Sequence, residues 1–490
     1  MSATVEQIKD CMYLSEYISE LPENCILNKG ITGCGGTTLE LQSKRNSIIL
    51  CPTRNLVTSK ASLGYFGVDG NVTKTDIKNY LITENGYKKI VATYDALPKL
   101  MEVIPNYQEY FLLIDEYHLL FNDYSLRNSA ITFILNNFYK FNKYCFLTAT
   151  PLKPEFILEE LKDLPQITYE WNNAVPVNIT IKDTYYVQKE LLNLIDIYKD
   201  RNLHIFLNSV STIYKITEKL LTDDFRVVCS ENSKAKIKNF AKVTDPVKKL
   251  NFYTSCAFEG VDIYDPNGYC IILCDTNIST TVLDIATKVR QVCGRLRDSI
   301  YKDQVTLILN TNKHRYAGTT DNEFNNMVAK SEELGKAKED QFNNATEIQK
   351  EADLRVYTKE GFSNIYVNLY DGKLFYDVNL KKLDLYNYKL ISEIYNSSIS
   401  ILKECKSNNI VANVQKSESL KGRSWIREIL LQNNKSEYTY NELETIFAPV
   451  FEKYGLKWSQ KSSIKDYFPT FKKHKKMVNK KTSIYYKFVL

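Results

Sequence analysis

The sequence predicts an α/β protein: two tandem parallel-sheet domains, then a C-terminal region with a β-hairpin and a small helix-and-strand module. Three observations predict it. From Cys25 to Asn310, short apolar runs rich in Ile, Val, Leu, Phe and Tyr alternate with longer amphipathic stretches, the pattern of βα units. The run Phe111-Leu112-Leu113-Ile114 ends in Asp115-Glu116-Tyr117-His118. That places two carboxylates at the carboxyl edge of a parallel sheet, where ligand sites of open α/β sheets lie. Finally, Gly30-Ile31-Thr32-Gly33-Cys34-Gly35-Gly36-Thr37-Thr38 follows the first strand and precedes a helical stretch, Leu39 to Lys44.

The first block offers strands at Cys25 to Asn28, Ser47 to Cys51, Lys89 to Thr93, Phe111 to Asp115 and Tyr144 to Thr148. The second offers Leu203 to Leu207, Phe225 to Val228, Asn251 to Thr254, Cys270 to Cys274 and Val305 to Leu309. Each set is enough for one sheet, and a crossing segment from Pro165 to Pro176 separates them. Asp321 to Asp353 is charged, amide-rich and poor in apolar anchors, which reads as a long exposed helix or a linker. Tyr366 to Tyr370 and Lys373 to Val378 flank Asp371-Gly372, whose positive φ angles suit a tight hairpin turn. The last segment reads as helices, a Lys-rich turn at Val478 to Lys481 and a terminal strand from Ser483 to Val489, a winged-helix-like order. The expected domains are 1–170, 171–315, a charged helix or linker at 316–355, a hairpin-containing connector at 356–418, and a basic module at 419–490.

A chain of 490 residues with 44% hydrophobic content supports about three cores at ~150 residues per domain. No apolar run approaches the ~20 residues needed to cross a bilayer, and residues 1–10 carry no basic-then-apolar leader pattern, so a cytoplasmic protein without membrane contact is expected. The eleven cysteines are scattered through apolar strands with no Cys-x-x-Cys pair. Cys270 and Cys274 share one strand, and with four histidines in the chain they read as core thiols rather than metal ligands. The net charge of +6 is modest for this length. Its distribution is uneven: after Trp458 come Lys461, Lys465, Lys472, Lys473, Lys475, Lys476, Lys480, Lys481 and Lys487 against the single acid Asp466. Tyr467, Phe468, Phe471, Tyr485 and Tyr486 lie between these lysines, favouring a folded nucleic-acid-binding module over a merely soluble tail.

The glycine-rich segment looks like a phosphate loop, because glycines let backbone N–H groups wrap phosphate oxygens and a following helix N-terminus favours negative charge. Gly30, Thr32, Gly33, Cys34, Gly35, Gly36, Thr37 and Thr38 are its candidate nucleotide-binding residues. It has one defect. In Gly-x-x-x-x-Gly-Lys-Thr a lysine reaches the β and γ phosphates, and aligning the glycines puts Gly36 in that slot. Lys29, just before the loop, is expected to be solvated, the alternative being that it supplies the missing charge from another direction. Thr37 and Asp115 are placed to hold Mg²⁺, and Glu116 to orient or deprotonate a water that attacks a terminal phosphate.

In this order the motifs resemble those of superfamily-two helicases of the DExH-box type, built on two RecA-like domains. The resemblance rests further on Pro52-Thr53-Arg54 after the second strand, Thr93-Tyr94 at a later strand end, and Thr148-Ala149-Thr150 before Pro151. In the second block it rests on Phe206-Leu207-Asn208-Ser209, on Thr254-Ser255-Cys256-Ala257-Phe258-Glu259-Gly260-Val261-Asp262, and on Gln291-Val292-Cys293-Gly294-Arg295. It covers Cys25 to Asn310 and leaves the C-terminal third outside. It implies ATP and Mg²⁺ as cofactors, Gly260 and Asp262 near the nucleotide, and Arg295 as the arginine finger with Gln291 beside it. It also implies that His118 and Thr148, Ala149 and Thr150 couple hydrolysis to motion. Pro52, Thr53, Arg54, Thr93, Asn208 and Thr254 become the candidate nucleic-acid contacts, which position a strand through phosphates and sugars.

The family's motif wants a second arginine at position 298, where this chain has Asp298 with Arg297 one place early. On a regular helix Arg297 points about 200° away from Arg295, so it serves only if the helix has loosened.

Two functions follow. One is an ATP-dependent helicase or translocase on single-stranded or branched DNA, with RNA as the other candidate track. The other is a catalytically degenerate nucleic-acid-binding or scaffold protein on the same fold. A missing lysine costs roughly 2–4 kcal/mol of phosphate contact if uncompensated, yet Thr37, Asp115, Glu116 and Arg295 all remain, which favours the first. A nuclease subunit with the same motor lacks a recognisable nuclease cluster. The abundance of Asn, Lys, Ile and Tyr, including 35 tyrosines, reads as an AT-rich coding bias that suits a bacterial virus or mobile element.

Overall fold

The computed structural model describes residues 3–172, 176–220, 222–311, 319–416, 435–453, 458–459, 471–478 and 481–488, with a few positions between 426 and 433. Lys461, Lys465 and Lys480 of the basic run lie outside the described residues, as do Asp466, Tyr467 and Phe468. So do positions 173–175 of the crossing segment and most of 417–434.

Eight strands build the first sheet: β1 (Ala3–Ile8), β2 (Cys25–Asn28), β3 (Ser47–Cys51), β4 (Phe66–Val68), β5 (Lys89–Thr93), β6 (Phe111–Asp115), β7 (Lys143–Thr148) and β8 (Gln166–Trp171). They lie in the order β1-β8-β2-β7-β6-β3-β5-β4, every neighbouring pair parallel. The second sheet uses β9 (Asn178–Asp183), β10 (Asn202–Phe206), β11 (Phe225–Val228), β12 (Leu250–Tyr253), β13 (Gly268–Cys274) and β14 (Gln304–Leu309), joined later by one more strand. The protein is thus an α/β chain of two tandem RecA-like sheets. Every residue of β3, β5, β6 and β13 is buried, because helices cover both faces; this is why these strands read as unbroken apolar runs.

The expected strands all form. Three were not foreseen in the first sheet: β1 and β4 at its two edges, and β8, which occupies the crossing segment between the blocks. In the second sheet β9 was also unforeseen. Its last strand comes from far downstream: β17 (Val411–Lys416) pairs parallel to β9, Val411 opposite Asn178, giving the order β11-β12-β10-β13-β14-β9-β17.

Between the second sheet and β17 the chain forms two helices, Asp321–Asn343 and Glu347–Glu360, each opened by a capping box, Thr320 with Glu323 and Thr346 with Gln349. The charged stretch is therefore helical but broken at Asn344. The hairpin follows as β15 (Val367–Tyr370) and β16 (Lys373–Tyr376), with Asp371 and Gly372 both at positive φ as its turn requires. Asp377 then caps helix Val378–Lys389.

This segment straps the two sheets together. Tyr366, Leu380 and Leu383 belong to the core of the first sheet, and Leu390, Tyr395, Ile401, Cys405 and Ile410 to that of the second. Buried side chains of this kind contribute roughly 1.5–3 kcal/mol each. Polar anchors accompany them: Tyr124 donates to Asp377 (2.7 Å), Asn368 to Thr132 (3.0 Å) and Tyr395 to the Leu283 carbonyl (2.6 Å). In the C-terminal module, helix Tyr440–Lys453 packs Leu443, Phe447 and Phe451 with Tyr438 against a three-stranded antiparallel sheet ordered β18 (Tyr438–Thr439), β20 (Lys481–Phe488), β19 (Phe471–Val478). Lys472, Lys473, Lys475 and Lys476 on β19 are exposed.

Candidate functional site

The site forms where β2, β6 and β7 end side by side. After β2 the chain wraps through the glycine-rich loop, with Gly33 and Gly35 at φ +77° and +84°, and enters helix Gly36–Gln42. Thr37, on the first turn of that helix, donates its hydroxyl to Asp115 Oδ2 at 2.6 Å. A hydroxyl and a carboxylate side by side match Mg²⁺, which takes one or two protein oxygens and fills the rest of its octahedron with water and phosphate. Thr38 is exposed and Cys34 buried beneath the loop.

Lys29 is not solvated, contrary to the sequence-based expectation. It is 6% exposed. Its ammonium lies 3.5 Å from Glu116 Oε1 and 3.9 Å from Asp115 Oδ1. Burial lowers the lysine's pKa, but the two carboxylates outweigh burial and hold it above its ordinary value. For Asp115, burial pushes the carboxyl up against the opposing pull of Lys29 and the Thr37 hydroxyl. The backbone of Lys29 is pinned on both sides, its N–H donating to the Thr148 carbonyl (2.8 Å) and its carbonyl accepting from the Trp171 indole (2.7 Å).

Glu116 sits at φ +52°, a left-handed conformation costing of order 1–3 kcal/mol for a non-glycine residue. The buried Tyr94 hydroxyl braces this turn by donating to the carbonyls of Asp115 (2.7 Å) and Glu116 (3.3 Å). The turn aims the Glu116 carboxylate across the cleft. There Gln291 Nε2 donates to Glu116 Oε2 (2.9 Å) and to Thr150 Oγ1 (3.1 Å), and Thr148 Oγ1 donates to the same Glu116 oxygen (3.3 Å). His118 Nδ1 meets Thr148 Oγ1 at 2.9 Å. Burial, with Lys288 and Lys29 nearby, drives the His118 pKa down to about 3, so the ring is neutral. Ala149 is buried between the two threonines. The structure thus brings together Asp115, Glu116, His118, Thr148, Thr150 and Gln291.

Facing the loop, the helix Arg290–Cys293 stops at Gly294, so the angle expected between Arg295 and Arg297 on a continuing helix does not apply. Arg295 turns inward, bonding the carbonyls of Gln291 (2.8 Å) and Val261 (3.2 Å) and Gln291 Oε1 (3.3 Å). It braces Gln291 rather than reaching the loop. Arg297 overlies the loop instead: a Cβ on Gly33 would sit 2.5 Å from its NH1. Asp262 orients that guanidinium through a 2.6 Å bond from Nε. Arg290 crosses to the Gly30 carbonyl (2.7 Å), and a Cβ on Gly294 would lie 2.3 Å from Thr32 Oγ1. Gly260 faces Leu56 of the first domain, where a Cβ would come within 2.6 Å. Glu259 is buried near Lys288, Asp123, Glu116 and Arg295, and burial raises its pKa to about 8. Beside the loop a cleft of about 850 Å³ opens, with Gln7, Asn28, Tyr169, Glu170, Arg290 and Asn408 among its walls.

The candidate nucleic-acid residues divide. Thr53 caps helix Arg54–Ala61 by accepting from the Leu56 amide, and Arg54 is exposed beside Asp69 (3.8 Å). Pro52 is buried, its carbonyl taken by Arg127. Thr93 and Thr254 are largely buried, Thr254 in the wall of the groove beside Asn208. Asn208 ties the end of β10 to the segments after β13 and β12, donating to the Thr280 carbonyl (3.0 Å) and accepting from the Ser255 amide (3.2 Å). Next to it a groove of about 640 Å³ is lined by Ser209, Ser211, Lys215, Ser230, Ser233 and Lys236, among others, with no carboxylate among its lining residues.

Sequence reasoning missed Tyr94, Arg290 and Glu259 as parts of this site, and named Lys29 and Arg297 only as second choices. For Arg297 the helix-stopping Gly294 was a usable signal.

No family model matches the chain, and no curated protein does. Among solved structures it is similar to the Mycobacterium smegmatis helicase Lhr bound to ssDNA and AMP-PNP, at 15% identity and a TM-score of 0.43 over 60% of this chain and 44% of that one. It is also similar to S. cerevisiae Dbp5 bound to RNA and ADP BeF3, at 13% identity and 0.41 over 63% and 82%. A third similarity is to RecG bound to a three-way DNA junction, at 16% and 0.37 over 64% and 44%. The chain thus spans under half the length of the Lhr and RecG chains it matches.

Proposed function

We propose that the chain is a nucleic-acid-stimulated ATPase, a helicase or translocase that hydrolyses ATP between its two sheets. One observation carries this reading: Gln291, from the second sheet, hydrogen-bonds at once to Glu116 and Thr150 of the first. A side chain that reads the water-handling carboxylate across a domain boundary makes the chemistry conditional on closure.

Thr37 and Asp115 would hold Mg²⁺, which supplies charge neutralisation at the phosphates. The backbone amides of the glycine loop would hold the phosphate oxygens, and the cleft beside Tyr169 and Glu170 has room for a nucleoside. Glu116 accepts the proton of the attacking water. Thr148 and neutral His118 keep that carboxylate oriented. Arg297, aimed by Asp262, brings positive charge to the loop only while the domains are closed. The carboxylate-free groove beside Asn208, with Lys215 and Lys236, suits the backbone of a single strand, and the lysines of β19 would add affinity for a duplex or branch.

The test is ATP hydrolysis by the purified chain with and without single-stranded DNA or RNA, beside Glu116→Gln. Stimulated turnover, lowered by about 10²–10⁴ in the variant, is expected. Turnover no greater than the variant's, with nucleic acid still bound, would leave a binding protein on this fold.

A further inference from the structure

We infer that Lys29 and Gly36 have exchanged roles: the lysine that meets the β and γ phosphates comes from the end of β2, and the glycine in its usual slot is what makes room for it. This rests on the nucleotide reading above.

Three observations carry it. A Cβ built on Gly36 lies 3.0 Å from Leu147 Cδ2, tighter than side chains normally pack, and 3.4 Å from Lys29 Cδ, so the lysine stem passes in contact with position 36 and a longer side chain there would have to share its space. The ammonium ends 3.5 Å from Glu116 and 3.9 Å from Asp115, the latter already bonded to Thr37. And the backbone of Lys29 is fixed by Thr148 on one side and Trp171 on the other, so the stem starts from a rigid point.

A buried lysine could be a mere countercharge for two acids, but its neighbours argue further. One carboxylate is placed to hold a cation with Thr37 and the other to take a proton, so the ammonium stands where phosphate charge has to be met. A free lysine in a strand-end turn would gain more from water than from burial. Here the pair of carboxylates holds the ammonium in place beside the loop. The Gly36 backbone is in the first turn of a helix, a conformation open to any L residue, so its glycine is explained by space rather than by φ.

The experiment measures ATP and AMP binding and ATP turnover in the full chain for wild type, Lys29→Met, Gly36→Lys and the double variant, each checked for folding by thermal melt. Lys29→Met is expected to lower turnover at least about a hundredfold and to lose the preference for ATP over AMP. Gly36→Lys alone is expected to impair the site, since two lysine stems collide. The double variant is expected to recover at least about tenfold over Lys29→Met, with its ATP preference, because the lysine returns to the usual slot. Wild-type ATP preference in Lys29→Met overturns the assignment, as does a folded double variant no better than Lys29→Met. A wild type that binds no nucleotide overturns the ATPase reading itself, whereas nucleotide binding untouched by these changes removes only the lysine.

Discussion

The two sheets meet in two places, and the joints are built from different materials. In the cleft, the side-chain bonds that cross from one domain to the other are individual polar ones, Gln291 to Glu116 and Thr150, Arg290 to the Gly30 carbonyl and Asn55 to the Cys256 carbonyl (3.1 Å), beside the close approach of Gly260 to Leu56. In the strap, Tyr386 lies edge-on to Phe121 (5.4 Å) and Phe156 (5.1 Å) of the first domain. Its hydroxyl donates to Asp284, which caps the helical turn leading into Arg290. A polar bond across a domain boundary is worth about 0.5–1.5 kcal/mol net and can be exchanged for water. A buried aromatic cannot be exposed without losing several times that. The cleft is therefore the joint that opens, and the strap is the one that stays.

Removing Tyr386 tests the strap most severely. Tyr386→Ala should lose about 3–5 kcal/mol in urea unfolding, while the turnover of molecules still folded stays closer to wild type than their stability does. Loss of turnover without loss of stability would make Tyr386 part of the opening joint instead.

Next in size is Glu259, whose buried carboxyl has a pKa of about 8. Below about pH 4.5 it is protonated folded or unfolded and costs nothing. Between there and pH 8 the folded chain keeps a proton that the unfolded chain releases, so stability falls as pH rises, by about 1.4 kcal/mol per unit. Glu259→Gln should remove that slope and leave the variant roughly 2–4 kcal/mol more stable than wild type at pH 8, with no difference at pH 4.5. Parallel stability curves for the two proteins would show the carboxyl to be ionised and paired.

Gln291→Ala addresses the cleft alone. Turnover should fall roughly ten- to a hundredfold through loss of alignment, with stability within about 1.5 kcal/mol of wild type. If it unfolds as readily as Tyr386→Ala, the two joints do not differ. The smallest expected effect is at the groove. Lys215→Ala with Lys236→Ala should flatten the salt dependence of single-strand binding by about 0.7 log units per lysine, and an unchanged slope would move the track elsewhere.

The sequence showed what both-face burial makes visible. β6 and β13 are apolar end to end, so their boundaries and the Asp115-Glu116 turn were readable. Edge strands are only partly covered: β17 (Val-Ala-Asn-Val-Gln-Lys) alternates, with Val411 exposed and Ala412 and Val414 half-buried, while in β1 (Ala-Thr-Val-Glu-Gln-Ile) Val5 is exposed and Ile8 buried, so neither reads as an apolar run. Lys29 was read as solvated because the space beside Gly36 exists only once β7 brings Leu147 alongside. Arg297 was discounted on the premise of a continuing helix, which Gly294 ends. Tyr386 was one tyrosine in a tyrosine-rich chain, and only packing distinguishes it.

The pairing of β17 with β9 has a consequence for how the chain is made. When β14 has left the ribosome, β9 is an unpaired edge, and its partner is not synthesised until both long helices, the hairpin and the strap have followed. Because domains tend to fold in the order of synthesis, the first domain can settle early while the second waits. Such a distant parallel contact also forms slowly. During that interval β9 offers its backbone to any passing strand, so crowded or fast expression should yield aggregates nucleated at residues 178–183 before it yields inactive but folded protein.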